Sequence, residues 1–166
     1  MTYEIELIIS RLNQSFHVVE SYGETINEGS FHGPSLMTAV YSIPYSKIDE
    51  KPIKHRHSTR EILNHCQYWM EAAVQALTDK CMADIVDVED WPKHETSLES
   101  WKEDIKRINL VHQNLIIQVR QLDKSALSET IQSTFHGNIF KFTNQKMLHG
   151  IADHNIYHAG QISLYK

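Results

Sequence analysis

Apolar residues recur at steps of three and four positions in four long stretches of the chain. Each stretch therefore predicts an amphipathic helix with one face toward a core. The four stretches cover residues 3–20, 59–78, 98–122 and 144–166. The third is the most regular, because its apolar positions and one histidine follow a 3.5-residue repeat, which is typical of a bundle seam. A shorter helix is predicted over residues 35–42, ahead of Pro44, since the residue before a proline disfavours helical geometry.

Polar residues mark where these helices begin. Ser58 and Glu61 fit a capping box before the second long helix, and Thr96 and Glu99 fit another before the third. In such a box, each side chain satisfies the free backbone amide of the other residue. Thr143 or the residue after it is predicted to cap the last helix.

Four amphipathic helices without convincing strand alternation predict one all-α domain over residues 1–166, a four-helix bundle with long connecting loops. Residues 134–140 could nevertheless form a turn between two short extended pieces. Long loops in compact domains are usually functional or disordered. The long connections here are residues 20–33, 44–57, 79–95 and 123–142.

The composition restricts the class of protein. Hydrophobic residues make up 41% and charged residues 22%, as in a globular domain. The net charge of −5 argues against a dedicated nucleic-acid-binding protein, which needs a basic face. No apolar run reaches the roughly 18 residues of a membrane span, and the acidic start does not resemble a signal peptide. Two cysteines, Cys66 and Cys81, are too few for a disulfide framework, so we expect a reducing, cytoplasmic setting.

The chain contains 11 histidines, and two of them share one face of the last helix. His154 and His158 are four positions apart, which places them about 40° apart around a helix, so both imidazoles could bind one metal ion. One such pair is expected by chance at this histidine content. Both residues, however, lie on the apolar stripe between Ile151 and Ile162, where unsatisfied imidazole nitrogens are costly. The alternative is a pair of partly exposed histidines at the rim of the bundle.

His65 lies in a similar position on another helix. It belongs to the predicted core face that also carries Ile62, Trp69 and Ala73, and the small alanine would let a neighbouring helix approach closely. A third imidazole from a facing helix would complete a three-histidine metal site with an open position. The alternative is a core histidine that is bonded to a neighbouring side chain.

The remaining histidines carry weaker signals. His112 interrupts the seam of the third long helix and could be a fourth ligand, a partner of a ligand or a core histidine bonded to a carboxylate; we favour the core role. His149 points about 140° away from His154 and should not reach the same ion. The histidines in predicted loops are expected to be solvated, and these are His55, His57 and His94.

Two polar residues of the last helix could flank the site. Gln161 lies seven positions after His154 and faces the same side, while Tyr157 lies about 60° from His154. Asn155 stands where metalloproteases with an H-E-x-x-H motif carry a glutamate, so no general base is evident. Cys66 is expected to be a buried structural thiol rather than a nucleophile.

Three segments are similar to motifs of the DinB/YfiT-like superfamily. Residues 154–162, HNIYHAGQI, resemble its C-terminal signature, and residues 31–36, FHGPSL, resemble its early loop-to-helix motif. Residues 58–69 resemble its second long helix, with a histidine four positions before a tryptophan. The resemblance spans the chain in order, and residues 123–142 match least clearly.

The resemblance implies an up-down-down-up four-helix bundle that forms a homodimer. It also implies a divalent metal ion, nickel, zinc or iron, held by His65, His154 and His158, the same three residues that the helix faces select. By the same resemblance, His32 lies near the mouth of the site. Phe31 stands where the superfamily usually carries a tryptophan.

The resemblance leaves three functions open, because relatives include bacillithiol- or mycothiol-dependent transferases, a mycothiol-dependent isomerase and metal-dependent hydrolases. In the first scheme, a low-molecular-weight thiol occupies the open metal position and its thiolate attacks an electrophile. In the second, metal-bound water attacks an ester or amide. The lack of an evident base favours S-transfer over hydrolysis. The third alternative is a metal- or small-molecule-binding bundle with a stress-related role and no turnover.

Overall fold

The structure is a computed structural model that describes residues 2–17, 33–82, 84–135 and 137–166. Six helices and one two-stranded sheet form within these residues. In chain order they are α1 (Tyr3–Phe16), α2 (Leu36–Tyr41), α3 (Thr59–Asp79), α4 (Asp87–Asp90), α5 (Leu98–Gln121), β1 (Thr130–Phe135), β2 (Asn138–Thr143) and α6 (Asn144–Ser163). Short 3₁₀ turns cover Tyr45–Lys47 and Ala126–Ser128. Among the described residues, no helix combines the length and apolar character needed to cross a bilayer.

The first and last helices run in the same direction. The Gln145 side-chain amide donates to Glu4 at 2.6 Å near the start of both helices. Near the end of α1, the Ser15 hydroxyl accepts from the Asn155 amide at 3.3 Å, and Asn155 lies about two turns before the end of α6. Because residue numbers rise together along the contact, α1 and α6 are parallel.

The two middle helices run opposite to α6. The Tyr165 hydroxyl, just after α6, donates to the His57 carbonyl, just before α3, at 2.9 Å, so these two helices are antiparallel. Arg60 and Asp104 lie near the starts of α3 and α5 and pair at 2.7 Å, so those two helices are parallel. With α1 and α5 also in contact, the four long helices form the predicted up-down-down-up bundle.

The apolar stripes predicted from the sequence form the core of the bundle. Ile8, Leu12 and Phe16 on α1 are at most 1% exposed, and so are Ile108 and Leu115 on the seam of α5. Burying each such side chain contributes about 1.5–3 kcal/mol to stability relative to exposing it. Burial of these apolar stripes thus stabilises the four helices, since isolated helices are only marginally stable in water.

Capping side chains determine where the two middle helices begin. The predicted box is present at α3, where the Ser58 hydroxyl accepts from the Glu61 amide at 3.2 Å and the Glu61 carboxylate accepts from the Ser58 amide at 2.9 Å. The box predicted at Thr96 and Glu99 is wrong by one position. The structure uses Ser97 and Ser100, because α5 begins at Leu98 and the capping residue directly precedes the first helical residue.

The first helix is shorter than the predicted 3–20 stretch. It ends at Phe16, where His17 adopts an extended backbone with φ −70° and ψ 151°. The Ser35 hydroxyl donates to the His17 carbonyl and so ties the end of α1 to the start of α2. The last three residues of the predicted helix lie outside the described residues.

The ambiguous stretch before α6 contains a β-hairpin, which adds one small sheet to the all-α bundle. Strands β1 and β2 pair antiparallel from Thr130 opposite Thr143 to Phe135 opposite Asn138. Gly137 in the turn has φ +75°, a left-handed conformation that favours glycine. Residues 82 and 85 bond to the other edge of β1 at 3.3 and 3.1 Å. The turn predicted at 134–140 is confirmed. Apolar and polar residues do not alternate along β2, because four of its six residues are exposed and so both faces of the strand meet solvent.

Candidate metal centre

Three imidazole rings from two helices converge at one point in the bundle. The His154 Nε2 atom lies 3.0 Å from the Nε2 atom of His65 and 3.0 Å from that of His158. One nitrogen from each ring lies within 4.8 Å of the other two, so the three residues could hold a metal ion. His65 and His158 are 7% and 4% exposed. The face argument from the sequence therefore selected three side chains that the fold does bring together.

Gln161 fixes the orientation of the His158 ring. The His158 Nδ1 atom lies 2.8 Å from the Gln161 side-chain carbonyl oxygen, which can only accept, so Nδ1 carries the proton. The Gln161 amide in turn donates to the Tyr157 hydroxyl at 2.9 Å. Tyr157 itself is 62% exposed. Both sequence candidates thus lie behind the His158 ring and orient it, rather than contacting the centre of the cluster.

Asp90 and Trp91 orient the His65 ring, and sequence reasoning did not select either residue. An Asp90 carboxylate oxygen lies 2.7 Å from His65 Nδ1, and the Asp90 backbone carbonyl accepts from the same nitrogen at 3.2 Å. The Trp91 indole stacks on the ring at 4.0 Å and an interplanar angle of 5°. His57 stacks on the opposite face of that indole at 3.4 Å. The acidic, tryptophan-containing linker at 79–95 was the only sequence signal for this support.

Burial and mutual repulsion hold two of the rings neutral. Burial, followed by the charges of His158 and His65, lowers the pKa of His154 to about 3. Burial and the charge of His65 lower the pKa of His158 to about 4, against a smaller opposing effect of the Gln161 hydrogen bond. Both imidazoles are therefore neutral at pH 7, which is the form that binds metal ions.

The donor set fits a divalent cation. Protons on the Nδ1 atoms of His65 and His158 leave their Nε2 lone pairs directed at the cluster, and a cation satisfies both together with His154. Nitrogens bound to one ion at about 2.1 Å lie about 3.0–3.4 Å apart, depending on geometry. The two observed separations of 3.0 Å fall at the lower end of that range. An all-imidazole set suits zinc, nickel, iron or copper better than magnesium or calcium.

A groove of about 550 Å³ opens beside the cluster, between α6, α3 and the hairpin. His65 and His154 form one part of its lining, so a molecule in the groove would lie against both residues. The groove is mostly apolar, and no acidic residue is among the described residues that line it. Its walls include Trp69, Met82, Ile85, Phe140, Met147 and Ile151.

The remaining histidines lie elsewhere, as far as the structure describes them. His149 accepts a hydrogen bond from Arg11 at 3.2 Å and does not join the cluster, as expected. His32 and Phe31 lie outside the described residues. The expectation that loop histidines are solvated is wrong for His94, whose side chain is only 16% exposed. Its ring nitrogen lies 3.0 Å from an Asp49 carboxylate oxygen, which replaces water as its partner.

His112 is a core residue, as favoured from the sequence, but its partner is an amide rather than a carboxylate. Its Nε2 atom lies 3.0 Å from the side-chain carbonyl of Asn13, and its ring stacks on Phe16 at 4.0 Å. His17 packs edge-on against it at 4.9 Å. Burial, aided by the charge of His17, lowers the pKa of His112 to about 3.

We expect the His112→Phe variant to lose part of the acid sensitivity of the wild type. Below the unfolded pKa of 6.5, the unfolded chain binds a proton at His112 that the folded chain does not accept until about pH 3. His112 therefore does not lower the free energy of unfolding above pH 6.5. Below that pH, this one group lowers the free energy of unfolding by about 1.4 kcal/mol per pH unit. Urea unfolding of metal-free protein between pH 6.5 and 4 measures both slopes. Equal slopes in the two proteins would contradict the assignment.

Comparison with known protein families agrees with this architecture. The sequence model of the DinB superfamily matches residues 34–162, which is most of the chain and includes all three clustered histidines. No curated protein is significantly similar to the chain in sequence. On the strength of the family match, the chain belongs to the DinB superfamily.

Proposed function

We propose that His65, His154 and His158 bind one divalent metal ion and that the protein is a metal-dependent enzyme. The observation that carries this proposal is the convergence of three Nε2 atoms beside an apolar groove that a small molecule can enter. A cation held there would favour the deprotonated form of a coordinated thiol or water. Three protein ligands also leave coordination positions for a substrate, as is typical of catalytic sites.

The reaction that we propose is the transfer of a low-molecular-weight thiol to a small electrophile. The thiol sulfur forms a bond to an electrophilic carbon, the leaving group departs with the bonding electrons, and the thiol proton passes to solvent. The described lining of the groove offers no carboxylate to activate a water molecule, which favours this chemistry over hydrolysis.

The thiol is expected to come from a separate molecule, because neither cysteine of the chain is placed to supply it. Cys66 is fully buried, and burial raises the pKa of its thiol far above the ordinary value. Cys81 is exposed and is not part of the groove lining. The prediction that Cys66 is a structural thiol is consistent with its burial.

A pair of assays on metal-analysed protein tests the proposal. We expect about one divalent ion per chain, thiol-dependent conjugation of monochlorobimane with cysteine-based thiols, and loss of that activity with a chelator. Hydrolysis of p-nitrophenyl acetate without a thiol would instead favour the hydrolase scheme. Bound metal with neither activity would leave a binding protein, and protein that takes up no metal would refute the proposal.

We expect the Asp90→Asn variant to bind the metal about 10–100-fold more weakly than the wild type. The carboxylate lies 2.7 Å from His65 Nδ1, where its negative charge favours the Nδ1–H tautomer and leaves Nε2 free to bind the ion. Competition with a chromophoric chelator measures the affinity.

Glu89→Gln provides the matched control for this variant. Glu89 is the neighbouring acid of the same short helix, but it lines a different cavity, whose walls also carry Arg60 and Asp104. Its removal changes the net charge equally and should leave metal affinity unchanged. Equal weakening by both variants would show that only overall charge is involved.

A further inference from the structure

The described lining of the groove beside the three histidines combines apolar walls with two lysines and no acid. We propose that it binds a small amphipathic anion, with an apolar chain or ring between α6 and the hairpin and a carboxylate-like group at Lys141 and Lys146. The role of this ligand as a substrate rests on the proposed function. The binding itself does not, because it depends on groove residues other than the three histidines.

The apolar part of the groove lies between two different structural elements. Met147 and Ile151 line it from α6, and Phe140 and Phe142 line it from β2. Phe140 remains 48% exposed, although aromatic side chains are usually buried in a small protein. The volume of about 550 Å³ lies within the range of small-molecule sites.

A glycine keeps the α6 side of the groove open. Gly150 lies in the middle of α6 and lines the groove, and a Cβ atom built on it would meet no atom within 4 Å. Glycine in a helix interior costs about 0.5–1 kcal/mol relative to alanine. The space at this position is therefore available to a ligand, and a side chain that begins there would extend into the groove.

The charged groups of the groove point to an anion. Lys141 and Lys146 are exposed and line the groove, and no acid is among its described lining residues. Neither lysine pairs with an acid in the part of the chain that the structure describes, so both ammonium groups are available to a ligand. Two unpaired cations at the rim of an apolar groove favour a ligand with one negatively charged end.

Titration calorimetry on metal-free protein tests the choice of ligand. The probes are decanoate, decan-1-ol and decylammonium, which share one chain length and differ in charge. We expect decanoate to bind about fivefold more tightly than decan-1-ol, because two exposed lysines each contribute modestly, and decylammonium to bind most weakly. Decanoate that binds no more tightly than the alcohol would overturn the proposal.

Paired glycine variants test the place of binding. Gly150→Leu should weaken all three probes about tenfold or more by filling the groove. Gly160→Leu is the control, since Gly160 lies in the same helix with equally open space but outside the groove lining. If the glycine variants fold poorly, Phe140→Ala provides a second test, because it removes an exposed apolar side chain from the groove. Its control is Leu110→Ala, which removes an exposed apolar side chain from α5, outside the groove lining. Equal effects of groove and control variants would refute binding in the groove.

Paired lysine variants test the charge. The double variant Lys141→Gln and Lys146→Gln should weaken decanoate about fivefold and leave decan-1-ol unchanged. Lys102→Gln with Lys124→Gln makes the same change in net charge away from the groove and should leave both probes unchanged. Weakening of decanoate by the control pair would contradict the assignment to Lys141 and Lys146.

The outcomes separate this inference from the proposed function. Decanoate binding by a protein that takes up no metal would support the groove and refute the metal-dependent enzyme. Metal uptake without decanoate binding would overturn the groove and leave the metal site. Analytical ultracentrifugation measures the oligomeric state and completes the test. If the protein is a dimer that binds no decanoate, and if Phe140→Ala dissociates this dimer, the groove is a contact between two chains and the proposal is refuted.

Discussion

The His154→Ala variant is expected to contain less than about one tenth of the wild-type metal and to lose thiol-conjugating activity. Loss of one of three imidazoles leaves two ligands, His65 and His158, which hold a divalent ion far more weakly. In the wild type, a metal at about 1,000 times its dissociation constant stabilises the fold by about 4 kcal/mol. The variant should therefore unfold at the same denaturant concentration with and without metal, while the wild type should not.

His149→Ala is the matched control for that experiment. It removes a histidine from the same helix, five positions earlier, whose ring contacts Arg11 instead of the cluster. It should retain metal, activity and metal-dependent stabilisation. Turnover that survives His154→Ala would contradict the proposed role of the metal, and equal losses in both variants would indicate general damage to α6.

The Asp104→Ala variant is expected to destabilise the protein by about 3–5 kcal/mol. Arg60 is 0% exposed, and its Nε–H donates to the Asp104 carboxylate at 2.7 Å. Without Asp104, the guanidinium keeps a hydrogen bond to Ser100 at 2.6 Å, but the nearest other carboxylate, on Asp49, lies 3.9 Å away. A buried charge is then left poorly compensated. Urea unfolding at pH 7 measures the difference.

Asp153→Ala is the control, because it removes an aspartate from an exposed ion pair instead of a buried one. Its carboxylate pairs with Arg11, and the two side chains are 65% and 48% exposed, so solvent screens the pair. We expect a loss of less than about 1 kcal/mol. If removal of Asp104 costs no more than removal of Asp153, the buried pair at the starts of α3 and α5 does not stabilise the bundle as we infer.

The His154–His158 pair was predictable because both residues lie on one helix. A helix fixes the relative direction of positions four apart, so spacing alone places their rings side by side. His65 required one further step, since an imidazole on a core face needs a partner and a facing helix can supply one. The helix period therefore predicted two of the clustered histidines directly, and the cost of burying a polar ring predicted the third.

The same signal had a different outcome at His112. It too interrupts an apolar stripe, and it is 1% exposed. Its partner is Asn13, so this contact joins α5 to α1, whereas the three-histidine cluster joins α3 to α6. Periodicity indicates that such a residue is buried, but which side chain it meets depends on how the neighbouring helix is rotated and shifted along its axis.

The order of the long helices, the core stripes and the shared face of His154 and His158 follow from the sequence alone, because they depend on contacts between positions three and four apart. Only the tertiary structure places Asp90 and Trp91 against His65 and closes the groove with the hairpin. The contacts of His65 with Asp90 and Trp91 join residues 25 or more positions apart across an irregular linker, and the groove joins α6 to a strand without alternating burial. Local periodicity determines which face of a helix is buried, whereas packing between elements determines what that face meets.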